Sequence, residues 1–226
     1  MAGYVWPLVL LSLLSGGFFA VGVLENHSFA FWYLAWNLFL AWLPLVFVLL
    51  LLPVIKTRGW TSWLGIGLTV LWLGFLPNSF YMVSDFIHLQ DYERVNMVFD
   101  TVMFASFVFT GILIGYTSLY MVHLEFLKRI KKSSAWAWIA AVLALSSFAI
   151  YLGRDLRMNS WDILVNPAGI LFDVSDPIVN PRAHGLAFTT TLTFFIFLTT
   201  IYVAIWHLVG AIARHGDAHL LYTRKR

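Results

Sequence analysis

Six long apolar runs separated by short polar connections organise the chain, with limits at about 5–24, 29–54, 60–77, 97–123, 134–153 and 185–212. A helix needs roughly 20 apolar residues to cross the hydrocarbon core of a bilayer, so each run predicts one membrane helix. The expected fold is an all-α integral membrane protein forming a single helical domain over residues 1–226, with six transmembrane helices. Short interfacial or re-entrant helical segments are expected in the third and fifth connections, where polar residues interrupt the apolar pattern. The first run resembles a signal peptide in position only. It lacks a basic leading region, runs long, and is followed by Glu25-Asn26-His27 without a small-x-small cleavage site, so it reads as a retained span.

Composition excludes a soluble alternative. At 61% hydrophobic and 11% charged residues, the chain has too little polar surface to cover a water-soluble globule. The absence of cysteine removes disulfides, thiolate metal ligands, iron–sulfur clusters and a cysteine nucleophile, while leaving hydroxyl, carboxylate and metal-water chemistry open. Walker, dinucleotide-binding, HExxH and GxSxG motifs are absent, no inverted repeat is visible, and nothing points to nucleic acid.

Charge then orients the spans. With the N-terminus inside, the inner segments carry Lys56, Arg58, Lys128, Arg129, Lys131, Lys132, Arg214, Arg224, Lys225 and Arg226, leaving Arg94, Arg154, Arg157 and Arg182 outside. The acids divide the other way, with only Glu125 and Asp217 inside. Positive charge collects on cytoplasmic loops, so both termini are expected in the cytoplasm of a multi-pass protein of the bacterial cytoplasmic membrane. Trp60, Trp63, Trp136 and Trp138 follow the basic loops and fit an inner aromatic belt. The run "KRIKK" at Lys128 to Lys132 reads chiefly as an orientation signal, with specific binding of anionic lipid as the sharper alternative.

The polar residues left over gather on the outer side. In "LPNSFYMVSDFIHL", Leu76 to Leu89, Pro77 should end or kink the third helix. If a helix resumes, Asn78, Tyr81, Asp85 and His88 share one face at spacings of three, four and three. Asp85 and His88 suit a general base oriented by a carboxylate, or two ligands of a divalent metal; the plainer reading is an amphipathic interfacial segment whose polar groups bond to neighbouring helix ends. After the fifth span, "GRDLRMNSWDILVNP" places Arg154, Arg157 and Trp161 on one side and Asp155, Asn159 and Asp162 on another. The arginines suit a clamp on phosphate or carboxylate, with the acids free for metal or proton transfer. Ion pairing within the loop, or of either arginine with Asp85, is the bland alternative.

These two stretches resemble the signature segments of a bacterial membrane family catalogued as domain of unknown function 1361. The resemblance covers most of the chain and points to Pro77, Asn78, Tyr81, Asp85 and His88, then to Gly153, Arg154, Arg157, Asn159, Ser160, Trp161 and Asp162. Ser79-Phe80 departs from the small-residue-Pro expected in relatives. The resemblance supports a site and implies no reaction.

The expected function is an outer polar cleft that binds a small anionic molecule or a lipid head group through Asn78, Tyr81, Arg154, Arg157, Asn159 and Trp161. A hydrolase or transferase acting at the outer leaflet is the catalytic alternative, with Asp85, His88 and Asp162 as acid/base groups or ligands of a divalent metal. A third class is a scaffold or assembly subunit that meets a membrane-protein partner through its outer loops. Elsewhere the expectations are structural. Gly111 and Gly115 form a G-x-x-x-G face for helix packing, Pro44 is placed to kink the second span, and Asp100 favours a helix N-terminus. His123, His207, His215 and His219 read as interfacial residues on the inner side, and Asp173 and Asp176 are too few acids for a calcium site.

Overall fold

A backbone in apolar surroundings has few partners except its own carbonyls, which is why spanning segments adopt a helix. The computed structural model describes residues 2–90, 96–155 and 185–223, with Ser175 and Val179. Over these residues the apolar runs form α1 (Ala2–Asn26), α2 (Trp32–Arg58), α3 (Trp63–Tyr81), α4 (Met97–Leu127), α5 (Lys132–Asp155) and α6 (Gly185–Thr223). A 3-10 segment, Met82–Gln90, continues α3. All six helices are long and apolar enough to cross a membrane, and no strand occurs among the described residues.

Proline does not end the third helix. Pro77 sits inside α3, which runs four residues further before tightening at Met82. Likewise Pro44 and Pro53 both lie within an unbroken α2. Proline removes one backbone donor and opens the turn before it, and neighbouring hydroxyls can then serve the loosened carbonyls. Here the buried Ser79 hydroxyl of α3 donates to Ala41 O, three residues before Pro44, at 3.0 Å.

The central packing joins α2 with α3 and α4, while α1 lies on α4 and α5 joins α6 to α3. Their core includes Leu45, Trp72, Phe80, Phe104, Phe107 and Tyr202, all nearly inaccessible. Polar side chains fasten it: Trp42 Nε1 donates to Ser12 Oγ at 3.0 Å, Trp72 Nε1 to Ser118 Oγ at 3.3 Å, and the Tyr116 hydroxyl to Leu198 O at 2.7 Å. Conversely, Leu13, Val70, Phe109, Phe188 and Ile212 stand exposed on outer helix faces, as a lipid environment allows.

The two glycines of α4 perform the predicted packing. A Cβ on Gly111 would lie 2.5 Å from Met82 Sδ and 3.0 Å from Ser79 O; one on Gly115 would lie 2.8 Å from Ser79 Cβ and 2.9 Å from the Phe80 ring. Only hydrogen fits where α4 crosses the end of α3.

His123 departs from its interfacial expectation. It is fully buried, with Nδ1 2.9 Å from the Tyr202 hydroxyl and its ring against Trp136 and Trp206 at centroid distances of 4.7 and 4.3 Å. Its Nε2 has no hydrogen-bond partner among the described residues. This imidazole is part of the α4–α5–α6 core, while His207 is exposed and the side chains of His215 and His219 lie outside the described residues.

Replacing Gly115 with Val is expected to lower the stability of the detergent-purified protein by about 1–3 kcal/mol through overpacking. Gly74→Val, where nothing lies within 4 Å, serves as the comparison. Equal thermal midpoints for the two variants would remove the close-packing argument.

Candidate functional site

A helix turn repeats about every 3.6 residues and a 3-10 turn every three, so residues at i, i+4 on one and i, i+3 on the other can face each other as matched pairs. This happens between the start of α2 and the 3-10 segment. Tyr33 and Asn37 stand one turn apart on α2, and Asp85 and His88 one turn apart on the 3-10 segment. Asn37 Nδ2 donates to Asp85 Oδ2 at 2.9 Å. The rings of Tyr33 and His88 meet edge to face, with centroids 5.6 Å apart at 69°. The two segments run in opposite senses, so the inner pair is polar and the outer pair aromatic.

Depth differs between the members. Asp85 is 3% exposed, Asn37 and Tyr33 are half-buried, and His88 is exposed at the lip, within electrostatic reach of the carboxylate. Nearby, Phe104 of α4 meets Phe31 at 5.2 Å and Phe86 at 6.4 Å, so an aromatic cluster adjoins the polar groups. Burying a carboxylate away from water is costly unless hydrogen bonds replace its hydration, and the Asn37 amide supplies one.

The arrangement retains part of the expected face and redistributes the rest. Asp85 and His88 come together, but Asn78 turns its amide to Phe75 O within its own helix at 3.2 Å. Tyr81 is half-buried, and its backbone carbonyl accepts the Ser84 hydroxyl at 2.6 Å. The pitch changes at Met82, where a 3-10 turn eclipses residues three apart and so sets Asp85 and His88 one above the other. Arg154 is half-buried in the last turn of α5, whereas Arg157, Asn159, Ser160, Trp161 and Asp162 lie outside the described residues, as do Asp173 and Asp176. Among the described residues no group of three or more His, Asp or Glu is arranged to hold a metal ion.

Tyr33 and Asn37 are the residues that sequence reasoning passed over. The signal was present, because Asn37 is an amide inside the apolar run "WYLAWNLFLAW", and a polar residue within a span faces protein partners more often than lipid.

A family profile described as "Protein of unknown function (DUF1361)" matches residues 36–205, about three quarters of the chain. The chain belongs to the DUF1361 family. The matched range contains Asn37, Asp85, His88 and the arginine-rich segment after α5, and it begins after Tyr33. Searches of curated proteins and of solved structures return no match. The family assignment therefore brings no reaction, and what this DUF1361 site can do follows from its groups. A carboxylate has about four lone-pair positions, of which Asn37 uses one, and an imidazole both donates and accepts. Together they can hold a polar group that enters from the His88 side.

Asn37→Ala strands the buried carboxylate and is expected to destabilise the protein by about 1–3 kcal/mol. Asn37→Leu combined with Asp85→Leu removes both partners and is expected to cost less than the single Asn37→Ala change, because no unpaired polar group is left. Thermal unfolding of the purified variants measures both; a double variant less stable than Asn37→Ala would show that the pair is not coupled.

Proposed function

We propose that this DUF1361 protein binds a small polar molecule or a lipid head group in an outward-facing cleft. Asp85, Asn37 and His88 form one wall of that cleft, and the arginine-rich segment after α5 forms the other. The supporting observation is the pairing of Asn37 with Asp85 in an otherwise apolar helix interface, with His88 exposed beside the buried acid. A purely structural tie needs no exposed imidazole next to its carboxylate. Arg154 and Arg157 would confer a preference for ligands carrying phosphate or carboxylate, and Asp85 would accept the ligand's hydroxyl or amino hydrogens. Asn78, Tyr81, Asn159 and Trp161 complete the proposed lining. The catalytic reading uses the same acid and imidazole as a general-base pair, with Asp162 as third carboxylate and a divalent metal as an added ligand-organising group.

In this proposal the whole chain is one domain of a bacterial cytoplasmic membrane protein with both termini in the cytoplasm. The distribution of basic residues supports the orientation, and the contacts are compatible with it. Trp60 stacks on Phe126 at 5.1 Å, so the basic ends of α2 and α4 share one side, away from the Asp85 cleft. Trp63 and Trp138 are exposed on that side, as an interfacial belt requires, whereas Trp60 and Trp136 are half-buried in packing contacts.

The chain contains no cysteine, so single cysteines can report accessibility without background. Ser28→Cys is expected to react with a membrane-impermeant maleimide in intact spheroplasts, and Lys131→Cys only after permeabilisation. The reverse pattern would invert the topology and move the cleft to the cytoplasmic side.

For the ligand, mass spectrometry of small molecules and lipids copurifying with the protein is expected to find a species retained by wild type and depleted at least tenfold in Asp85→Asn and His88→Ala. Both variants should keep thermal midpoints near wild type, since Asp85→Asn preserves shape and His88 is exposed. Identical retained species in all three proteins would sink the binding reading.

A further inference from the structure

The end of the molecule opposite the cleft carries six cations from two separate loops: Lys56 and Arg58 at the end of α2, and Lys128, Arg129, Lys131 and Lys132 around the α4–α5 turn. A topology signal needs positive charge on one side of the membrane; it does not need these loops to meet. Yet they do. The Trp60 ring lies parallel to Phe126, with a 6° interplanar angle, and is held by Nε1–H donation to Thr69 Oγ1 at 2.9 Å. The Arg129 guanidinium sits over the same indole, 5.6 Å from its centroid.

Glu125 adds an observation that orientation does not explain. It is 5% exposed, and its carboxylate receives Lys128 Nζ at 2.6 Å and an Arg129 Nη1 contact. The Arg129 guanidinium also donates to Glu125 O at 2.8 Å. An acid here subtracts from the positive-inside charge, so its contribution is geometric: it holds Lys128 and fixes the Arg129 guanidinium that lies over the indole. Lys56, Arg58, Lys131 and Lys132 are exposed around this fixed centre. Trp63, 91% exposed, opens α3 next to this centre in sequence.

We infer that this basic end is a built site for the head group of an anionic phospholipid, with Arg129 and Trp60 as its floor and the exposed cations as its rim. The inference is independent of the Asp85 cleft. Clustered basic residues at a membrane surface attract anionic lipid, and Arg–phosphate pairing is strong where the guanidinium is preorganised. Glu125 acts as a positioning residue.

The test is native mass spectrometry of the protein exchanged from nanodiscs that contain phosphatidylglycerol and phosphatidylcholine in equal amounts. Wild type should retain one phosphatidylglycerol per chain in preference to phosphatidylcholine. The retention should persist near 1 M salt, where the screening length falls to about 3 Å and diffuse attraction is lost. Lys131→Gln with Lys132→Gln should weaken it by about fivefold per charge removed. The deciding variant is Glu125→Gln, which raises net positive charge by one. A built site loses its preference in this variant, whereas simple charge attraction keeps or increases it, and that second result would overturn the proposal. If Glu125→Gln does not fold, the wild-type result decides: a graded, salt-labile distribution of lipids in place of one retained molecule also overturns it. Glycerol 3-phosphate that binds as tightly as the lipid would show a soluble-phosphate site and overturn the lipid assignment.

Discussion

Polar groups that enter a membrane must find their partners inside the protein, and this requirement shapes the chain from hydroxyls to helix crossings. Many serines and threonines meet it locally by donating to a carbonyl three or four residues back, as Ser12, Thr69, Thr110 and Thr117 do. Such bonds need no neighbour and carry little information about the fold. Asp85 has no local solution. Its carboxylate must be reached from another helix, and the Asn37 amide is the group that reaches it. One buried acid thus helps to set the register of α2 against the segment that follows α3.

That register also depends on the change in pitch at Met82. Were α3 to continue as an α-helix, Asp85 and His88 would be offset by about 60° around the axis; in a 3-10 turn they lie one above the other. The tightening is possible because α4 presents Gly111 and Gly115 to the junction, letting Ser79, Phe80 and Met82 approach its backbone. The packing glycines and the polar pair are therefore parts of one arrangement: close contact at the crossing places the segment, and the segment aligns its acid and imidazole with Asn37 and Tyr33.

Much of this was legible in the sequence. Hydrophobic run length is a strong signal, and the six helices fall where apolar runs predict them. The G-x-x-x-G face reads correctly because glycine spacing reports close approach directly. Proline was less informative, since its local penalty at Pro44 and Pro77 is absorbed inside a helix whose alternatives in lipid are worse. His123 illustrates the opposite failure. A histidine near a basic loop resembles an interfacial residue, and only the tertiary contacts of Trp136, Tyr202 and Trp206 from two other helices make it a core residue. Asp85 and His88 were found as a pair by spacing, but their α2 partners lie about fifty residues earlier, a distance no local period encodes.

The two ends of the molecule solve the problem of charge differently, and the contrast bears on function. At the basic end Glu125 is surrounded by more cations than it can neutralise, so positive charge remains available to the surroundings. At the Asp85 end a carboxyl group is buried with a neutral amide and an exposed imidazole, so it is hydrogen-bonded without being neutralised by that amide. An apolar replacement of similar volume would spare the desolvation cost of an acid in such a place. Retaining the acid gains little for packing alone, because Phe31, Phe86 and Phe104 already form an aromatic cluster close by in the fold. Under the binding proposal, that desolvation cost is offset when the acid exchanges hydrogen bonds with a ligand that arrives beside His88.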